Sequence, residues 1–257
     1  MRISQRGTLT VSSWILAAEA NPKATVKLFC LAYAGGGAEM FVPWRKLLPA
    51  HIDVCPVQLP GRGSRMLDTP IRQRDRLAAE LAGVLLEHGG ENYALFGHSM
   101  GALLWFDTCR VMMAQDFRMP SQLMVAGERA PQKPNRDTPI YQLSDGDFRQ
   151  AVKSYNGPTM GAAGDELLQM IMPALRADFA ICDTYEYTDH VPLNCPITAI
   201  GGFDDDTVEW NELLAWDVQT SATFSCRMID GGHFFPMERA KETAAVISDV
   251  LRVEPSP

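Results

Sequence analysis

One serine stands between two glycines in Gly97-His98-Ser99-Met100-Gly101, where the apolar run 93–96 gives way to the helix-like stretch "ALLWFDTCRVMMAQ". A serine hydroxyl is a poor nucleophile until a base takes its proton. A sharp strand-to-helix turn can hold such a hydroxyl out above a sheet edge. Glycines on either side leave room where strand and helix crowd together. The spacing therefore predicts a nucleophile elbow at Ser99, with the Met100 backbone N–H at the helix start aimed at a developing oxyanion. A plain tight turn is the competing reading of the same residues.

A base has to come from the five histidines, His51, His88, His98, His190 and His233. His98 adjoins Ser99, but neighbouring side chains on a tight turn diverge, so it reads as a packing or structural hydrogen-bonding residue. His51 and His88 fall at predicted helix ends and read as surface residues, while His190 falls in a polar loop. His233 sits in "IDGGHFFP", just after a predicted strand, where a parallel sheet places its site. Stacking on Phe234 or Phe235 is the alternative role. The acid that orients the base is sought in "AIGGFDDDTVEW", whose Asp204, Asp205 and Asp206 follow another strand. Adjacent carboxylates are ordinarily a solvated turn, and at most one of these serves as the acid. The order Ser, Asp, His is that of an α/β-hydrolase. A second oxyanion donor is expected from the loop after the first strand, Tyr33-Ala34-Gly35-Gly36-Gly37. That loop has neither the P-loop pattern nor the G-x-G-x-x-G spacing, which argues against a nucleotide site.

The elements that must carry these residues follow from periodicity. Nearly continuous apolar runs at 25–32, 52–59, 93–96, 122–128, 196–202 and 222–229 read as buried strands. Helices fit a stretch through 44–48, then 72–88, the run after Gly101, 209–219 and 237–252. The alternation predicts an α/β fold with a mostly parallel, doubly wound sheet in one domain spanning 1–257. Residues 130–190 break the rhythm and read as a helical insertion, in which Pro173 is expected to kink or divide the second helix. The final "EPSP" reads as a loose tail.

A net charge of −8 and a pI of about 5.1 argue against nucleic acid or an anionic membrane as the main partner. No apolar run reaches the length of a transmembrane helix. Ala18-Glu19-Ala20 has the form of a signal-peptidase site, but the segment before it is diluted by Thr8, Thr10, Ser12 and Ser13. Six cysteines without a short Cys/His pair argue against zinc and for buried free thiols, hence a reducing, cytoplasmic setting.

Taken together, "FCLAYAGGGAEMF", "VQLPGRGSRM", "ALFGHSMGALL", "MPALRADF", "CPITAIGGFDDD" and "GGHFFP" resemble the type II, editing thioesterases of nonribosomal peptide and polyketide synthases over about 25–240. The resemblance implies an α/β-hydrolase fold with a helical lid at 130–190. It implies a triad of Ser99, Asp205 and His233, with Asp204 the neighbouring candidate, and oxyanion donors at the amides of Met100 and Ala34. It further implies hydrolysis of acyl thioesters on the 4′-phosphopantetheine arm of an acyl or peptidyl carrier protein, with no metal or bound cofactor. Nothing in the sequence demands more than a monomer. Ala32 stands where the family commonly has proline, and "SYNGPTMG" stands where many members are Gly-Gly-rich.

Overall fold

The computed structural model describes residues 13–16, 21–155 and 165–252. Ala18-Glu19-Ala20, most of "SYNGPTMG" and the "EPSP" tail lie outside them.

Among the described residues, six parallel strands form the sheet: β1 (Val26–Leu31), β2 (Ile52–Pro56), β3 (Tyr93–His98), β4 (Gln122–Ala126), β5 (Ile197–Gly202) and β6 (Phe224–Ile229). Their order is β2-β1-β3-β4-β5-β6. The chain thus builds outward from β1 to β2, returns to lay β3 on the other side of β1, and continues in that direction. The switch point lies between β1 and β3, where Leu31 pairs with Gly97. Open sheets of this kind bind ligands in the crevice beyond the strand ends at that point.

Both faces of the sheet are covered, so most alternating side chains on both are apolar, while the edge strand β6 keeps Ser225 and the exposed Arg227. On one face Phe29, Leu31, Leu95, Leu123, Val125 and Ile197 pack with Leu77, Leu81 and Leu85 of α1 (Arg74–His88) and with Trp105 of α2 (Met100–Ala114). On the other, Leu28, Cys30, Ala94, Phe96, Met124 and Ile200 meet Phe41 and Trp44 of a 3₁₀ helix (Ala38–Lys46) and Ile247 near the C-terminal end. The helix expected around 44–48 is this earlier 3₁₀ segment. Pro43 inside it has no N–H to give to an α-helical ladder.

Between β4 and β5 the chain leaves the sheet. It forms α3 (Asp145–Ser154), capped by the Ser144 hydroxyl accepting from Asp147 N–H, and α4 (Asp165–Asp183). The expected division at Pro173 does not occur, since α4 runs through it as one helix. Proline removes a single ladder hydrogen bond. Leu168, Met172, Leu175 and Phe179 on one face of α4 bury against Ile140, Phe148 and Val152, which outweighs that loss. The helix expected at 209–219 is α5 (Trp210–Leu214) followed by a 3₁₀ turn (Ala215–Gln219). After β6 come the short α6 (Phe235–Glu238) and α7 (Ala240–Val250). All six cysteines are free thiols, with Cys182 and Cys226 half-buried and the rest buried. Among the described residues, no helix is long and apolar enough to cross a membrane, and no cluster of side chains is placed to hold a metal.

Candidate active site

Ser99 closes β3 and opens α2 with φ 53° and ψ −122°, a left-sided conformation that a non-glycine residue avoids. Such strain costs on the order of 1–3 kcal/mol and persists only where the surroundings enforce it. They do so here: Ser99 N–H donates to Ala126 O at 2.8 Å, and Ala102 N–H donates to Ser99 O at 2.8 Å. The flanking glycines are required by contact. A Cβ on Gly97 would lie 2.3 Å from Gly101 O, and one on Gly101 would lie 2.5 Å from Leu31 O. Met100 is the first helical residue, so its N–H has no carbonyl partner within α2.

Beyond β6, His233 Nδ1 lies 3.0 Å from Asp205 Oδ2. The carboxylate against the imidazole is thus that of Asp205, while Asp204 and Asp206 are exposed. With Nδ1–H donating to Asp205, Nε2 is left as the basic nitrogen. Thr207 joins this pair. Its hydroxyl donates to Asp205 Oδ1 at 2.6 Å and lies 3.0 Å from His233 Nδ1, and its N–H donates to the same Oδ1 at 2.9 Å. Burial alone would raise the Asp205 carboxyl, but the His233 and Thr207 hydrogen bonds outweigh it and hold the group below its ordinary value. The His233 ring also meets Phe234 edge-on with centroids 5.2 Å apart, so stacking accompanies the carboxylate contact.

His98 is fully buried, and its Nε2 lies 2.8 Å from His233 O. A carbonyl only accepts, so Nε2 carries the proton and Nδ1 is bare. Burial, followed by the nearby His233, pushes His98 down to about 3, which keeps it neutral. It pins the backbone of the loop that presents His233. His51 and His88, read as surface residues, are half-buried. His51 Nε2 lies 3.4 Å from Leu251 O, which ties it to the C-terminal helix end. His190 sits 2.7 Å from Val191 O, with its ring against Phe106 and Tyr187.

The loop after β1 reaches the same crevice and is clamped from outside. Asp178 of α4 accepts from Gly35 N–H at 2.7 Å and from both guanidinium nitrogens of Arg62, at 2.6 and 2.7 Å. Arg62 also donates to Gly36 O at 3.2 Å, and both side chains are buried. One bidentate ion pair therefore joins the loop carrying Ala34, the turn after β2 and the insertion helix. Ser99, Ala34, His233, Leu175 and Phe179 line one cavity of about 740 Å³ between the sheet edge and the insertion.

The sequence does not single out four contributors, Thr207, Arg62, Asp178 and Glu128, as site residues. Thr207 follows an aspartate by two residues, an Asx-turn spacing that offers a weak local signal. Arg62 and Asp178 fall within the stretches "VQLPGRGSRM" and "MPALRADF", but they lie 116 residues apart and nothing local says that they pair. Glu128, another cavity wall residue, follows the β4 strand signal but carries no pattern of its own.

A six-stranded parallel sheet with a strained serine elbow at its switch point and a histidine–carboxylate pair across the same edge defines an α/β-hydrolase. The family model described as "Thioesterase domain" matches residues 26–252. Thioesterase PikA5 of Streptomyces venezuelae is 33% identical over 93% of this chain and 86% of its own length. The type II thioesterase BorB from the borrelidin biosynthetic cluster superposes with a TM-score of 0.82 at 32% identity, covering 94% of this chain and 97% of its own. A protein of Brevibacillus parabrevis, 37% identical over 96% of both lengths, carries the name Linear gramicidin dehydrogenase LgrE. That redox name has no counterpart in the glycine loop of this chain, which lacks the G-x-G-x-x-G spacing. The chain belongs to the thioesterase family and is a thioester hydrolase.

Proposed function

We propose that this enzyme is a type II thioesterase that clears stalled or mis-primed acyl groups from carrier proteins of nonribosomal peptide or polyketide synthesis. The acyl group arrives as a thioester on a 4′-phosphopantetheine arm. His233 Nε2 takes the Ser99 proton as Oγ attacks the thioester carbonyl. The oxyanion rests on the amides of Met100 and Ala34. The intermediate collapses, the pantetheine sulfur leaves with the proton returned by His233, and an acyl ester remains on Ser99. His233 then deprotonates a water that attacks this ester, and collapse frees the carboxylic acid and restores the Ser99 hydroxyl. Asp205 holds the imidazole tautomer and offsets its charge. The insertion at 130–190 serves as the lid over the acyl group in a single-domain, monomeric, cytoplasmic protein.

The observation that carries this reading is the 3.0 Å contact of His233 Nδ1 with Asp205, in a cavity that also contains the strained Ser99. Relatives whose names place them in peptide or polyketide biosynthesis, such as Gramicidin S biosynthesis protein GrsT, support the substrate class. The test compares an acetyl-loaded carrier protein with acetyl-CoA, using wild type and Ser99→Ala. Faster Ser99-dependent release from the carrier protein is expected. Equal or faster release from CoA would refute the carrier-protein role, and full activity in Ser99→Ala would refute the nucleophile.

A further inference from the structure

Glu128 is a carboxylate in the wall of the acyl cavity that the hydrolytic chemistry does not use. Its position is well defined. It follows Gly127, whose backbone packs so closely on the two imidazoles that a Cβ there would lie 3.1 Å from His98 Nε2 and 3.5 Å from His233 Cε1. The Glu128 carbonyl accepts from Trp216 Nε1–H at 2.9 Å, which fixes the backbone on the other side. Toward the insertion, its charge is felt at Cys182, where burial is the first cause of the raised thiol and Glu128 the next. Glu128 thus lines the same cavity as Ser99, His233 and Phe179 of α4.

The other acids at this cavity are already occupied or face solvent. Asp137 pairs with Arg129 at 2.9 Å. Asp183 accepts the N–H groups of Ile140 and Tyr141 at 2.7 and 3.0 Å. Asp204, Asp206 and Glu238 are exposed. Among the described residues, Glu128 accepts only the N–H of its neighbour Arg129, at 3.1 Å on Oε1. Among the described residues, no guanidinium or ammonium forms an ion pair with it. The Arg129 guanidinium is turned instead to Asp137 and to Pro134 O.

An unpaired carboxylate in the wall is a liability for a purely alkyl acyl group, because it loses water and gains nothing in return. For an acyl group bearing an ammonium, the same carboxylate returns a charge-assisted hydrogen bond. We propose that Glu128 is a specificity determinant that receives the protonated amine of the acyl group, so that the preferred substrates are aminoacyl thioesters. This rests on the thioesterase reading and narrows its substrate. Burial pushes the Glu128 carboxyl up to about 7, with Arg129 and His233 opposing the rise. An arriving cation would hold the carboxyl ionised.

The test uses two pantetheine thioesters that differ only by the amine, alanyl and propionyl, with wild type, Glu128→Gln and Glu128→Asp. The quantity read is the ratio of kcat/KM for alanyl over propionyl. The greater intrinsic reactivity of the aminoacyl ester cancels when enzymes are compared. A lost charge-assisted hydrogen bond predicts that the ratio falls about tenfold or more in Glu128→Gln. Glu128→Asp, which keeps the charge, should retain a ratio between the two. A ratio in Glu128→Gln within about twofold of wild type would overturn the proposal, whatever happens to the separate rates. Equal losses on both substrates are such a case, and would make Glu128 a modulator of His233. Hydrolysis by wild type of neither these thioesters nor the acetyl-loaded carrier protein would overturn the thioesterase reading itself, and this proposal with it.

Discussion

His98 offers a sharp test of how the fold treats a buried base. It is fully buried, and burial holds it neutral by lowering it from the ordinary histidine value of 6.5 to about 3. Unfolded, the same imidazole titrates near 6.5. Between these values the unfolded chain binds a proton that the folded protein does not, so stability falls as pH falls. The contribution is complete above about pH 6.5 and is lost on descent toward pH 3. Each pH unit below 6.5 costs about 1.4 kcal/mol, so moving from pH 7.5 to pH 5 should cost wild type about 2 kcal/mol at this one residue. Other groups titrate in the same range, and the comparison must therefore be differential. His98→Gln removes the titration. Its destabilisation relative to wild type should shrink by about 2 kcal/mol between pH 7.5 and pH 5. Urea unfolding followed by the fluorescence of buried Trp44, Trp105 and Trp216 measures both proteins at each pH. A difference that stays constant across that range would mean that His98 takes up its proton in the folded state, and the burial argument would be wrong.

Replacing Asp205 by Asn should lower kcat on an acyl thioester by several orders of magnitude, because Nδ1 would lose its ionised partner and the tautomer would be wrong. Asp204→Asn should change kcat by less than about threefold, given its exposure, and a reversed pattern in steady-state kinetics would move the acid by one residue. Asp178→Ala leaves the buried Arg62 guanidinium without its carboxylate and should cost about 3–5 kcal/mol in urea unfolding. A loss below about 1 kcal/mol would mean that water replaces the missing partner.

Much of the fold was legible because its signals are local. Most strands are runs of mainly apolar residues because both faces of the sheet are covered, while the edge strand β6 alternates with polar Ser225 and Arg227. The serine elbow was legible for the same reason: strand, glycines, serine and helix are consecutive. Pro173 does not divide α4, because proline's cost is local whereas the gain that keeps α4 continuous comes from Ile140, Phe148 and Val152, which are distant in sequence. The 3₁₀ segment at Ala38–Lys46 began earlier than expected because its helical positions depend on burying Phe41 and Trp44 against the sheet.

The sequence by itself determined the order of strands and helices, the place of Ser99 at the end of a central strand, and a short list of histidines and aspartates for the remaining roles. All of these follow from propensity, periodicity and sterics acting within a few residues. The residues alone left three adjacent aspartates and the family resemblance pointed to Asp205; the contact itself depends on how the turn after β5 is folded back by Thr207. Tertiary structure alone joined Arg62 to Asp178 and placed Glu128 in the wall facing the insertion. Those relations span from about thirty to over a hundred residues. Side-chain geometry at such separations is fixed by packing, and no local pattern in the chain encodes it.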